Sequence, residues 1–221
     1  MGQALLQLIP LGLAAALSSV PITATVFILL SESRGRSGLA FMAGTVLGTF
    51  AGVVLATVAG QALPGRPRHH DALIGTLEVV VGIAMVVMGV VTLMRGPRTG
   101  SSRGASWLNS IGSFGMVPVF GVALALNVRP KAVLLVAAAG LAISRAGLPF
   151  EQNLVLTLFY TALATLTVVV PIVATILFPR WMEPRLVAVK GWIAAHSAGL
   201  SAAIMTLVGV FVIAVGLGIV G

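Results

Sequence analysis

Long apolar runs separated by short polar intervals dominate the chain. They lie near residues 4–30, 38–60, 72–94, 113–143, 153–178 and 199–220. Each is long enough for a helix to cross a hydrocarbon core of about 30 Å, which takes roughly 20 residues. A β-barrel would show alternating segments of about 10 residues instead, and none occur. The pattern predicts an all-α integral membrane protein with six transmembrane helices. Composition agrees: of 221 residues, 58% are hydrophobic and only 8% are charged, against about a quarter charged in soluble domains. No Lys or Arg precedes Arg34, and the first apolar run continues past Ser19 to Leu30. It therefore reads as a retained first span rather than a cleaved signal.

The charges lie mostly between the runs and report on orientation. The intervals after spans 1, 3 and 5 hold eight cations: Arg34, Arg36, Arg95, Arg98, Arg103, Arg180, Arg185 and Lys190. The opposite side holds three, Arg66, Arg68 and Arg145. By the positive-inside rule the first group is cytoplasmic, and both termini of this multi-pass plasma-membrane protein face outward. The net charge of +8 is then a topology signal and a contact to anionic membrane lipids. No basic stripe interleaved with aromatics occurs, so nucleic acid is not an expected partner. With no cysteine, disulfides and thiol-based metal sites are excluded. The spans hold no metal-ligand set and no nucleophile–base pair, so no cofactor, metal or enzymatic activity is expected. His69, His70 and His196 fall in the intervals. The interval 179–198, with Trp181, Arg185, Lys190 and Trp192, is either a loop with interfacial tryptophans or a short amphipathic helix on the bilayer surface.

The chain also matches itself. At an offset of 109 residues, "GLAAALSSVP" (12–21) falls on "GVALALNVRP" (121–130), and "RSGLAF" (36–41) falls ungapped on "RAGLPF" (145–150). This divides the chain into a first three-helix repeat at 1–96, a Gly/Ser/Arg linker at 97–110 and a second repeat at 111–221. An odd number of spans per repeat sends the second copy through the membrane in the opposite sense. Inverted repeats of this kind build transporters with a central site.

The repeat pairs Pro21 with Pro130, each in the middle of its span. A proline removes a backbone donor and crowds the preceding turn, so helices 1 and 4 are expected to be broken there. Freed backbone groups inside a bilayer need partners or a water-lined cavity. Ser18 and Asn127, three residues before each proline, are placed to supply polar contacts. Arg129 and Lys131 flank Pro130 and have no charged counterparts in the first half, where Val20 and Ile22 stand. An ionisable group at mid-membrane costs about 3 kcal/mol on insertion scales and normally faces a cavity or a partner. Ser18, Pro21, Asn127, Arg129, Pro130 and Lys131 are therefore the candidate substrate-binding residues. Glu78, the one acid well inside a span, is the candidate ion-pair or coupling partner of Arg129 or Lys131. Gly44, Gly48 and Gly52 form a small-xxx-small face that packs either within one chain or between two copies, which leaves a homodimer among the partners considered.

At "NVRPKAVLL", with the earlier polar–Pro break and the "RSGLAFMAGTVLG" opening of the second span, the chain resembles the lysine exporter (LysE) superfamily. That superfamily is similar in its six spans and in an Asn-Pro-Lys-type motif opening the second half. Here Val128 and Arg129 separate Asn127 from Pro130. This departure, with the Gly-, Ala-, Val- and Arg-rich composition, resembles the actinobacterial Gap/Sap-like, glycolipid-addressing branch. The resemblance implies outward movement of a glycolipid or other anionic amphiphile. The alternatives are export of a small metabolite or amino acid, or an accessory subunit of lipid-export machinery that transports nothing itself. No nucleotide-binding motif is present, so coupling would come from an ion gradient or an ATPase partner.

Overall fold

The structure, a computed structural model, describes residues 2–31, 33–62, 67–94 and 115–217. Within them it is all-helical. The elements are α1 (Gly2–Ala16), α2 (Ser19–Leu29), α3 (Arg34–Gln61), α4 (Pro67–Met94), α5 (Met116–Asn127), α6 (Pro130–Arg145), α7 (Phe150–Leu177) and α8 (Pro179–Gly216). The expected linker at 97–110 lies outside the described residues, as do the side chains of Glu78, His69, His70, Lys190, Trp192 and His196.

α3 and α7 are each long and apolar enough to cross a membrane alone. The pairs α1–α2 and α5–α6 each qualify when taken together across a bend, of 49° in the first and 65° in the second. α4 and α8 add apolar stretches at Val79–Val91 and Thr206–Val215. Large apolar side chains face outward along these helices, among them Leu47, Leu55, Val87, Leu158, Val170 and Val210. The buried polar residues are mostly threonines, on α3 and α7 above all. A greasy exterior around a hydroxyl-bearing interior suits lipid as the solvent, where helix contacts form through small and polar side chains.

Both expected helix breaks are present, and their chemistry is local. Pro21 has no N–H for the carbonyl of Leu17, and its ring crowds that carbonyl. α1 therefore stops at Ala16, tightens through Ser18 N–H to Ala15 O (3.1 Å), and α2 restarts at Ser19. In the second half Val128 N–H makes the same tightening bond to Ala125 O (3.1 Å). Arg129 is then extended, at φ −68° and ψ 147°, as expected of a residue before proline. Pro130 opens α6 at the first helical position, where a missing donor does no harm. The breaks are thus equivalent in cause but displaced: α6 begins at its proline, α2 two residues ahead of its own.

The second sequence match has a different outcome. Residues 36–41 lie inside α3, whereas 145–150 cross the end of α6 and the turn into α7. Gly147 takes φ +58° there, a left-handed helix stop that favours glycine. Phe41 is fully buried while Phe150 is 79% exposed, so the two motifs do not share a structural role. The long helices correspond at another offset, 116 residues, which carries 34–61 onto 150–177. At that offset Thr45 meets Thr161, Thr49 meets Thr165 and Ser37 meets Asn153, all of them buried.

The interval 179–198 is not a loop. It is the first half of α8, which runs without interruption from Pro179 to Gly216. Leu186 is buried, and Met182 packs beside it in the cluster that α8 shares with α2 and α7. Trp181 stays exposed, with the Arg185 guanidinium 3.1 Å from its ring centroid. Leu186 joins the core, while Val187 and Val189 beside it stay exposed.

Small residues set the closest approaches. α4 and α8 meet at Gly82 and Gly209, where a Cβ on either would come within 2.8 Å of the other's carbonyl oxygen. The glycine face of α3 packs within the chain. A Cβ on Gly44 would lie 2.7 Å from Ala123, one on Gly48 2.7 Å from Asn127, and one on Gly52 3.1 Å from Val136.

Candidate functional site

The core has two parts. One cluster joins α1, α6, α7 and α8 through Leu8, Leu135, Ile143, Tyr160 and Val212. The other joins α2, α3, α5 and α7 through Ile28, Phe41, Val119 and Ile172. A cavity lies where one gives way to the other, walled by Leu135 and Tyr160 of the first and by Phe41 and Val168 of the second. The helix breaks meet here. Ser18 and Pro21 come from the first, and Asn127, Arg129 and Lys131 from the second.

Five of the six residues expected to form the site therefore line one space. Pro130 is not in its wall and is exposed. Glu78 lies in α4, but the expected pairing falls on a side chain outside the described part of the structure. Sequence reasoning missed the lining contributed by the long helices: Phe41, Thr45 and Thr49 from α3, and Tyr160, Ala164 and Val168 from α7. A signal existed for Thr45 and Thr49, whose hydroxyls recur four residues apart in the run; the α7 lining carried none.

Each polar group at the breaks has a definite role. At the first, Thr167 Oγ1 on α7 donates to Ala16 O, a carbonyl left without its helical partner. At the second, Arg129 Nε donates to Leu126 O (3.0 Å). This cation caps the end of its own preceding helix, where positive charge also complements the helix dipole. That answers why Arg129 is tolerated inside an apolar run. Asn127 is held across the cavity rim: Thr49 Oγ1 donates to its Oδ1 (2.9 Å), and its Nδ2 donates to Ala123 O (3.0 Å).

Lys131 differs. Its Nζ is buried and has no hydrogen-bond acceptor among the described residues. It sits at the second position of α6, whose N-terminus already carries positive potential. The Tyr160 hydroxyl in the same cavity is likewise buried and without a partner. A buried ammonium without acceptors is unfavourable by several kcal/mol unless paired. The arrangement is suited to an anion that accepts from Lys131 and Tyr160.

The cavity offers about 60 Å³ to molecules the size of water. At roughly 10–15 Å³ per water on this measure, a few waters or one small anionic group fill it. It does not hold a whole lipid.

Fold and cavity together define a helical membrane protein with a cationic site set between paired helix breaks. The chain belongs to the family of Sap, the sulfolipid-1-addressing protein, whose family model matches residues 8–218. The match takes in both breaks and every residue of the cavity. No curated protein and no solved structure matches the chain.

Proposed function

We propose that the protein moves an anionic amphiphile, such as a sulfated glycolipid, outward across the plasma membrane by alternating access. Its family is named for the addressing of a sulfolipid, and a sulfate ester is a permanent anion with three acceptor oxygens. The observation that carries the reading is Lys131, whose buried Nζ lacks an acceptor beside two helix breaks. Sulfate or carboxylate there would gain charge-assisted hydrogen bonds, which are about twice as strong as neutral ones.

The transport step rests on symmetry. Both halves run as a bent helix pair followed by two long helices, with matching hydroxyl stripes on α3 and α7. In our reading these are two inverted repeats with both termini outside, totalling six spans, the number found in the lysine exporter superfamily that the sequence resembles. Rocking one half against the other about the breaks exchanges access to the cavity. No covalent chemistry is involved.

Reconstitution tests this. Purified protein in phosphatidylcholine vesicles is expected to speed the transbilayer movement of a fluorescent sulfated glycolipid, and Lys131→Ala to abolish the gain. Retention of the lipid without movement would contradict transport and identify an accessory binding subunit. Movement of a small organic anion but not of the lipid would identify a metabolite exporter.

A further inference from the structure

The cavity is too small for a lipid, so an amphiphilic substrate must place its tail elsewhere. A groove of about 400 Å³ opens on the outer face of α3, α5 and α6, within the size of ordinary ligand pockets, about 300–1,000 Å³. Its floor is made of small residues, Gly48, Ala51, Gly52 and Ala137, and exposed apolar side chains at Leu55, Val128 and Val133 form its rim. Asn127 and Val136 line both this groove and the cationic cavity, so the two spaces adjoin at these side chains. Among the described residues Asn127 is also the one polar member of the groove lining.

We infer that the groove is an acyl-chain subsite, occupied by the tail of the amphiphile whose anionic headgroup reaches Lys131, with Asn127 as the divider between them. This rests on the headgroup reading above and extends it to the tail. The charge lies on one side of Asn127 and the apolar surface on the other, which is the polarity of a single amphiphile. The divider can move without unfolding a helix. Asn127 is held to α3 by one hydrogen bond, from Thr49, and α5 ends at Asn127. Gly48 lets the Asn127 side chain pack close against α3, since a Cβ there would lie 2.7 Å from Asn127 Nδ2.

The test uses a sulfated glycolipid carrying a diazirine near the end of one acyl chain, and the same lipid without sulfate. Both are reconstituted with the full chain in phosphatidylcholine vesicles and photolysed, and the adducts are mapped by mass spectrometry. The sulfated probe is expected to concentrate its adducts in 51–56 and 133–137, several-fold over the unsulfated one. Lys131→Gln is expected to erase that difference. Ala51→Trp, at an exposed position, fills the groove and is expected to lower retention of the sulfated probe about tenfold, the loss of roughly two buried methylenes. Adducts spread over all lipid-facing helices, equal for both probes, would mean bulk tails merely touch this face and would overturn the inference. Because the chain has no cysteine, Ala51→Cys reports on the groove alone. Efficient disulfide dimerisation through it would show a second copy seated there, also overturning the inference. If the wild type retains the two probes equally, the headgroup reading fails; if it retains the sulfated probe selectively but labels elsewhere, only the groove assignment fails.

Discussion

Arg129 and Lys131 are two residues apart and carry the same charge, yet they have different work. Arg129 closes the end of α5 through Leu126 O. Removing it strands a carbonyl inside the membrane, which costs about 1–3 kcal/mol. Arg129→Ala is expected to lower the melting temperature in detergent by several degrees, at about 2–4 °C per kcal/mol for a chain of this size. Lys131 Nζ makes no hydrogen bond within the described structure, so Lys131→Ala is expected to accumulate normally and melt no lower than wild type while losing substrate handling. A melting temperature that falls as far for Lys131→Ala as for Arg129→Ala would show that both are structural. From sequence, both cations were legible as out of place in an apolar run. Their division of labour was not, because it depends on which side chain curls back to its own helix end. Tyr160 was invisible for a related reason: a single tyrosine in a span carries no sign of whether its hydroxyl finds a partner.

At the scale of elements, the prolines are the feature most directly written in the sequence. Pro21 and Pro130 each end a helix by chemistry that needs no tertiary context. Pro21→Ala restores the N–H for Leu17 and is expected to let α1 run on into α2. The variant should be at least as stable as wild type and impaired in lipid movement, measured by melting and by the vesicle assay; unimpaired movement would remove the break from the mechanism. The hydroxyl stripes of α3 and α7 were harder to see. Threonine in an apolar run reads as neutral, and its significance here comes from register. In α7, Thr157, Thr161 and Thr165 each donate to the carbonyl four residues back, at 2.8 Å, which satisfies them without any partner helix. The match of "RSGLAF" to "RAGLPF" joins residues that are not structurally equivalent, since the first lies inside α3 and the second crosses the turn into α7. For the interval 179–198 the loop reading fails because the segment is helical, and its cations and tryptophans gave no sign that Leu186 is buried. Close helix contact carries its own test. A Cβ on Gly140 would stand 2.8 Å from the backbone nitrogen of Thr57, which cannot yield as a side chain can. Gly140→Val is expected to destabilise by at least the 1–3 kcal/mol typical of overpacking, read as reduced accumulation in the membrane and a lower melting temperature.

For the whole molecule, membrane residence and helical class follow from hydropathy alone, because nothing but helices and closed barrels satisfies the backbone in lipid. The location of the cavity follows less directly. Two separate apolar clusters meet at the level of the breaks, and the space between them combines bent backbone, a buried cation and the hydroxyls of two other helices. No stretch of sequence contains that combination, although the breaks that organise it can be read from two prolines. The central claim is that this space holds the anionic headgroup of a lipid. The most direct measurement is the lipid that the protein retains. Wild type and Lys131→Ala are purified in a mild non-ionic detergent, and co-purifying lipids are identified by mass spectrometry. A sulfated or otherwise anionic lipid enriched with the wild type and depleted from an equally well-folded Lys131→Ala is the expected result. The same lipids in the same amounts in both samples would contradict it.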